Sequence, residues 1–121
     1  MPIRTIKAFP HEYYHIFNRG AMKHTLFYTP EYYEIFLQCL VRYARECRIT
    51  IIAYCLMPNH FHLLIRVEPD GDASTFMMRL CRRYSFCANR KLKRRGTLFE
   101  GRFHMKHVDT DAYFTALCRY I

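Results

Sequence analysis

The stretch YCLMPNHFHLLI, residues 54–65, decides how this chain folds. Two apolar segments meet at Pro58-Asn59, a pair suited to a tight turn, and so predict two antiparallel strands, Ile49 to Met57 and His60 to Val67. Side chains of a strand alternate between its faces. On the second strand, His60 and His62 therefore share one face. Phe61 and the apolar residues that alternate with the histidines share the other face, where helices can cover them.

Two imidazoles held side by side on a rigid strand can bind a divalent metal ion, because each neutral ring offers one nitrogen lone pair. His60 and His62 are therefore candidate metal ligands. An arbitrary His-x-His pair is more often two half-exposed histidines on a sheet surface. The rest of the chain has to decide between these interpretations.

The positive charge of the chain is concentrated in one segment. The net charge is +9, and residues 79–106 hold ten Lys or Arg against one acid, Glu100. Aromatic residues that could stack on bases are interleaved with them: Tyr84, Phe86, Phe99 and Phe103. This combination is typical of a single-stranded nucleic-acid surface, with a solvated basic helix as the alternative. The candidate DNA contacts in the segment are Arg79, Arg83, Arg90, Lys93, Arg94, Arg95, Arg102 and Lys106.

Length and composition predict one globular domain over residues 1–121. Half of the residues are apolar, and there are ten Tyr and ten Phe. No apolar run approaches the ~20 residues that a membrane helix needs, and residues 1–7 lack the apolar core of a secretory signal. We therefore expect a cytoplasmic protein. The six cysteines form no Cys-x-x-Cys pair, so we expect reduced thiols, mostly in the core, and no zinc ribbon.

The remaining pattern predicts strands and helices in alternation. The predicted elements outside the hairpin are a strand at about 13–18, a helix from Thr29 to about Cys47, a helix from Asp72 or Ser74 to about Lys91, a strand at 102–108 and a last helix capped by Asp109 or Thr110. Mixed elements and hairpin connections predict an α+β sandwich, with an antiparallel sheet of about four strands and helices mainly on one face.

Three apolar stripes are expected to bury the helices. They consist of Tyr33, Phe36, Leu37, Leu40 and Ala44 on the first helix, of Phe76, Leu80, Tyr84 and Cys87 on the second, and of Phe114, Leu117, Cys118 and Ile121 on the last. On the predicted strand at 102–108, Phe103 and Met105 face one side. Arg102, His104 and Lys106 form a wet, basic opposite side.

Four motifs resemble those of the single-tyrosine transposases of bacterial insertion sequences, which carry a His-hydrophobic-His motif and include relatives associated with repetitive extragenic palindromes. The matching residues are YCLMPNHFHLL at 54–64, YHIFNRG at 14–20, GTLFEGRF at 96–103, and DAY through RYI at 111–121. The resemblance covers nearly the whole chain in the family's order. It implies a ferredoxin-like sheet with His60 and His62 at its centre.

The resemblance also implies an activity. It implies cleavage and rejoining of single-stranded, hairpin-containing DNA, with Mg²⁺ or Mn²⁺ at His60 and His62 and a 5′-phosphotyrosine intermediate. Spacing alone does not choose among ten tyrosines, although Tyr84 lies on an apolar stripe and Tyr120 lies one position off one. The family's nucleophile occupies a context like RYI at 119–121, which implies Tyr120. An interface tyrosine is the alternative role for this residue.

Two residues at the end of the first strand, Asn18 and Arg19, are further candidate DNA contacts. Ordinary turn chemistry explains them equally well. Relatives include dimers, in which one subunit's tyrosine helix serves the other's metal site, and monomers. We expect a homodimer.

One departure from the family's pattern concerns the end of the chain. In the family the last helix continues, and an amide side chain about one turn beyond the tyrosine, ~4 residues on, helps bind the metal. This chain stops at Ile121, so we expect a domain truncated at its C-terminus. A non-catalytic nucleic-acid-binding module or an inactive transposase remnant is therefore the alternative function. A replication initiator or relaxase fits the length and motif order less well.

Overall fold

A computed structural model describes residues 8–121; the first seven residues of the predicted domain lie outside this range. Its elements are β1 (Tyr13–Arg19), α1 (Pro30–Glu46), β2 (Ile49–Met57), β3 (His60–Val67), α2 (Ala73–Leu92), β4 (His104–Val108) and α3 (Asp111–Tyr120), with a short 3₁₀ turn at Ala21–Lys23. The strands form one antiparallel sheet in the order β2-β3-β1-β4. The βαββαβ order of the first six elements is that of the ferredoxin-like fold. The predicted α+β class is confirmed.

The central hairpin has the predicted bounds. β2 ends at Met57, β3 begins at His60, and these two residues are paired across the turn. The segment after β1 holds the turn in place: the backbone N–H of Leu26 donates to the carbonyl of Pro58 at 2.7 Å, and that of Gly20 donates to the carbonyl of Asn59 at 2.9 Å. The hairpin is thereby attached to the strand that also carries the YHIFNRG motif.

The helices α1 and α2 pack side by side on one face of the sheet. Pro30 occupies the first turn of α1, where its missing N–H costs nothing, and the Asp72 carboxylate caps α2 by accepting from the Thr75 N–H at 3.0 Å. The fully buried side chains of this layer include Phe36, Phe61, Phe76, Leu80 and Tyr84. This layer holds the main core of the described chain.

The predicted stripes of these two helices need small corrections. Leu37 and Cys87 are only half-buried, and Tyr32 rather than Tyr33 takes the buried place on α1. Periodicity assigns a side chain to a face of its helix but does not tell how deeply neighbouring positions on that face are buried.

Helix α3 lies on the opposite face of the sheet. The hydroxyl of Thr110 caps it by accepting from the N–H of Tyr113 at 3.1 Å. Leu117 packs on Leu64 and Val108 in a second, smaller cluster. Of the predicted stripe only Leu117 is buried, and Cys118 is exposed. Phe114 and Ile121 are half-buried and pack against the same cluster, so the predicted stripe is wrong only at Cys118.

The six cysteines are free thiols, and Cys118 is the exposed one. Burial raises the pKa of the Cys81 thiol to about 12, which keeps this thiol protonated at neutral pH.

None of the helices in the described part of the chain is both long enough and apolar enough to cross a membrane.

Candidate functional site

The sheet face that α1 and α2 leave open carries the candidate site. β3 contributes His60 and His62, since their alternate neighbours face the core. β1 contributes Phe17, which is paired with His62, and His15 two residues before it. β4 contributes His104, which is paired with Phe17 and stacks on its ring at 5.0 Å. The three strands thus place a row of imidazoles and a phenyl ring on one surface.

The rings of His60 and His62 are fixed through hydrogen bonds of their Nδ1 atoms. Their centroids are 5.3 Å apart and their planes nearly perpendicular. His60 Nδ1 lies 2.9 Å from Oδ1 of Asn59, and His62 Nδ1 lies 3.0 Å from Nε2 of His15. Within residues 8–121, neither Nε2 atom has a hydrogen-bond partner. Both Nε2 atoms therefore remain for an external group.

Burial favours the neutral form of two of these imidazoles, His15 and His62. Burial, with smaller contributions from His62 and Lys106, lowers the pKa of His15 to about 4. Burial and the neighbouring His60 lower the pKa of His62. A neutral ring has a lone pair available for a cation, and a protonated ring has none. At pH 7, His15 and His62 are thus in the form that metal binding requires.

The donor set fits a divalent ion only in part. Two imidazoles on one strand face outward with free Nε2 atoms, as a metal requires. The described residues contain no group of three or more His, Cys, Asp or Glu that could hold an ion. An ion bound here would take its other ligands from water and from a phosphate, and Mg²⁺ and Mn²⁺ both accept such oxygens.

The ring of Tyr120 lies beside His62. Its centroid is 5.5 Å from that of His62, edge to face, and the side chain is 70% exposed. Packing of α3 through Leu117 brings the end of the chain over the open face. The predicted nucleophile and one predicted metal ligand are therefore neighbours within a single chain.

Tyr84, the other tyrosine singled out in the sequence, is in the opposite situation. This residue of α2 is fully buried, and its hydroxyl donates to the carbonyl of Leu26. Burial raises its pKa well above the ordinary value for tyrosine. No substrate can reach this side chain, so its predicted core role is confirmed.

A cavity of about 560 Å³ adjoins the histidines and is lined in part by Arg19, Lys23, Glu100 and His104. Arg19 and Glu100 close one side with two parallel hydrogen bonds of 2.9 and 2.8 Å. Both side chains are about half exposed. Sequence reasoning gave no role to Glu100, and its position within the GTLFEGRF motif offered no signal for the pairing. The partnership depends on the loop before β4 crossing the end of β1.

Asn18 and Arg19 have separate surroundings. Asn18 is 3% exposed; its Nδ2 donates to the carbonyl of Gly101 at 3.3 Å, and its Oδ1 accepts from the N–H of Arg19 at 2.9 Å. These contacts are turn chemistry and hold the loop before β4. Arg19 keeps its guanidinium at the surface beside the cavity.

The basic segment does not form one surface. Lys106 lies on the open face, with its ammonium 5.7 Å from the centroid of the Phe17 ring. Arg79 and Arg83 lie on the outer side of α2, where Arg79 contacts Glu46 at 3.3 Å. Further candidates are exposed or half-exposed in and after α2, and in the loop before β4: Arg90, Lys93, Arg94, Arg95 and Arg102. The sheet separates Lys106 from the arginines on α2.

The aromatic candidates for base stacking also divide. Tyr84 and Phe99 are buried in the main core, so their predicted stacking on bases was wrong. Phe103 is half-buried, and Phe86 is exposed on α2 beneath the guanidinium of Arg83 at 5.6 Å. On α2, the helical period directs Tyr84 to the core and Phe86 to solvent.

The chain is similar to known proteins in its family and in its fold. A family model described as "Transposase IS200 like" matches residues 8–121. A solved structure of a REP-associated tyrosine transposase bound to a REP hairpin is 14% identical, with a TM-score of 0.81 over 100% of this chain and 70% of the other. A crystal structure of a candidate transposase from Deinococcus radiodurans R1 is 18% identical, with a TM-score of 0.67 over 98% and 95% of the two chains. Among curated proteins no match was found.

Proposed function

Because the chain belongs to the IS200-like transposase family, we propose that it cuts and rejoins single-stranded DNA with Tyr120 as the nucleophile. The single observation that carries the proposal is the position of Tyr120, exposed at the end of α3 with its ring 5.5 Å from that of His62. An exposed phenol beside one of the two candidate metal ligands is the arrangement that such a nucleophile needs.

The proposed step is a transesterification. The phenolic oxygen of Tyr120 attacks a DNA phosphorus, a bond forms between the two, and the bond from phosphorus to the 3′ oxygen breaks. The phenol gives up its proton, and the departing 3′ oxygen takes one to become a free hydroxyl. The 5′-phosphotyrosine conserves the bond energy, so a later attack by a 3′-OH releases Tyr120 and restores a phosphodiester.

His60 and His62 would hold a divalent ion, Mg²⁺ or Mn²⁺, through their Nε2 atoms. When bound, such an ion polarises the phosphate and orients it. Asn59 and His15 orient these two rings through hydrogen bonds to their Nδ1 atoms. Lys106, on the same face, and Arg19 and Lys23, beside the cavity, supply positive charge for the DNA backbone.

The proposed substrate is single-stranded DNA that contains a hairpin. The relative whose structure was solved with a REP hairpin has the same fold, and the charge of this chain suits a polyanion.

We propose the bacterial cytoplasm as the place of action, on DNA. The expected homodimer stays a prediction: Tyr120 and His62 meet within one chain, so the chemistry needs no exchange of helices. Sedimentation analysis tests the oligomeric state.

The test is a cleavage assay on a labelled hairpin oligonucleotide with Mn²⁺. The chain is expected to yield a covalent protein–DNA band on a denaturing gel, and Tyr120→Phe is expected to lower its yield by at least about 10³-fold, because no other group forms the bond. Tyr54→Phe is the matched control, since Tyr54 is half-exposed on β2. An equal band from Tyr120→Phe would rule out this nucleophile.

A non-catalytic nucleic-acid-binding protein is the second candidate. The observation that favours it is the basic surface on the outer side of α2, around Arg79 and Arg83, which lies away from Tyr120. Binding there requires no chemistry. Salt-sensitive binding of the oligonucleotide without any covalent band would support this candidate over the enzyme.

A further inference from the structure

His60 and His62 are supported by different chemical groups. The partner of His60 is the amide oxygen of Asn59, which can only accept. His60 must therefore carry its proton on Nδ1, and its Nε2 is left as a lone pair. The partner of His62 is a second imidazole, His15. A neutral imidazole has one donor and one acceptor, so this pair alone can be arranged in two ways.

His15 is held more firmly than a surface residue. It lies on β1, in the interior of the sheet between β3 and β4, and is 8% exposed. Its ring centroid is 5.2 Å from that of His62, with 20° between the planes, and 4.9 Å from that of Phe17. These contacts keep its Nε2 at 3.0 Å from Nδ1 of His62. The positions of the two nitrogens are therefore set, and only the direction of the hydrogen bond between them is left to determine.

That direction decides whether His62 can bind a metal. If His15 donates, His62 carries its proton on Nε2, which then points outward as an N–H and cannot be a ligand. If His62 donates from Nδ1, its Nε2 presents a lone pair beside that of His60. The nitrogen that carries the proton is set by the hydrogen bond that the other nitrogen makes.

We propose that His15 is a positioning residue, which accepts a hydrogen bond from Nδ1–H of His62 and so holds Nε2 of His62 ready for a divalent cation. This inference rests on the proposed function for the identity of the two ligands and adds a residue to that site. His15 touches neither the cation nor the DNA. It acts through the ring of His62, as partners behind a ligating histidine commonly do.

Three variants test the proposal. His15→Leu keeps an apolar side chain of similar size but removes the acceptor. His15→Gln places an amide oxygen near the position of the imidazole Nε2 and restores an acceptor. His107→Leu is the matched control, because His107 lies on β4 of the same sheet and contacts Glu12 instead of the site. Thermal unfolding of each variant confirms that it is folded.

The first measurement needs no metal. Nitrogen-15 NMR of the histidine rings reports which nitrogen of His62 carries the proton. We expect the Nδ1–H form in the wild type, in His15→Gln and in His107→Leu, and the Nε2–H form to become predominant in His15→Leu. A wild-type His62 protonated on Nε2, or a His15→Leu spectrum in which the tautomer of His62 is unchanged, overturns the proposal.

The second measurement is calorimetric titration with MnCl₂. His15→Leu is expected to weaken Mn²⁺ binding by about 10–100-fold, the usual cost of losing such a partner, with affinity largely recovered in His15→Gln and unchanged in His107→Leu. Equal affinities in all four proteins contradict the proposal. The proposed cleavage chemistry is tested independently of the role of His15. Tyr120→Phe should remove the covalent band but should change neither the Mn²⁺ affinity nor the tautomer of His62.

Discussion

The two faces of the sheet hold the same kinds of side chain in opposite states. On the face covered by α1 and α2, the ring of Phe36 lies 5.3 Å from that of Phe61 and 5.2 Å from that of Tyr84, and all three are fully buried. On the open face, Phe17 and Tyr120 contact imidazoles and reach solvent. The aromatic rings on the covered face stabilise the fold. Those on the open face lie beside polar atoms that solvent can reach.

The two tyrosines show what this difference means for chemistry. The hydroxyl of Tyr84 is occupied by the carbonyl of Leu26 in a dry environment that strongly disfavours ionisation. The side chain of Tyr120 is 70% exposed, and its ring lies beside that of His62. Exposure and neighbours, rather than residue type, separate a structural phenol from a candidate nucleophile.

Phe61 and His62 give the sharpest comparison, since they are adjacent on β3 and point to opposite faces. Phe61→Ala is expected to lower the free energy of unfolding by about 3–5 kcal/mol, because it leaves a cavity in the core. His62→Ala is expected to cost roughly 1 kcal/mol or less and to abolish Mn²⁺ binding. Urea unfolding followed by circular dichroism, with calorimetry for Mn²⁺, measures both. Equal losses of stability would contradict the division between the faces.

The tyrosine pair gives a smaller effect on stability. Tyr84→Phe is expected to lower the free energy of unfolding by about 1–2 kcal/mol, because the buried carbonyl of Leu26 loses its donor. Tyr120→Phe is expected to change it by less than about 0.5 kcal/mol, as is usual for an exposed side chain. The same urea experiment compares them. A larger loss for Tyr120→Phe would mean that its hydroxyl has a structural partner.

The pH dependence of stability should report the open face. An unfolded imidazole has a pKa of about 6.5, whereas His15 in the folded chain has a pKa of about 4. Between these values the unfolded chain binds more protons, so acid favours unfolding. We expect the wild type to lose on the order of 1–2 kcal/mol from this group between pH 7 and 4, less than the full linkage because water reaches the open face.

His15→Gln is the control for this titration, since glutamine does not ionise. Its stability should decline less steeply than that of the wild type between pH 6.5 and 4, the window set by the unfolded and folded pKa values of His15. Urea titrations in the presence of a chelator, at intervals across this range, measure the difference. If the two curves superimpose, folding does not lower the pKa of His15.

The smallest expected effects concern single cations on the two sides of the molecule. Lys106→Ala and Arg83→Ala should each weaken oligonucleotide binding a few-fold and make the logarithmic salt slope shallower by about 0.7 per lost phosphate contact. Lys106→Ala should also slow adduct formation at saturating DNA, because Lys106 lies on the face of Tyr120. Arg83→Ala should leave that rate unchanged. The reverse outcome would place the reacting strand on the outer side of α2.

Local patterns in the sequence were sufficient for much of the fold. The hairpin bounds on either side of Pro58-Asn59 and the shared face of His60 and His62 were predicted correctly, and Asp72 is one of the two caps predicted for α2. Each depends on residues within a few positions of one another, where periods of 2 and 3.6 and the chemistry of turns and caps are decisive.

The tertiary structure alone decided how distant elements meet. His15 contacts His62 across 47 positions, Glu100 contacts Arg19 across 81, and α3 crosses the open face so that Tyr120 reaches His62. Periodicity assigns a side chain to a face of its own element but carries no information on which element lies opposite. Strand order, register and helix placement come from the packing of the whole core, so the sequence by itself determined the chemical groups, and only their assembly determined which of them are neighbours.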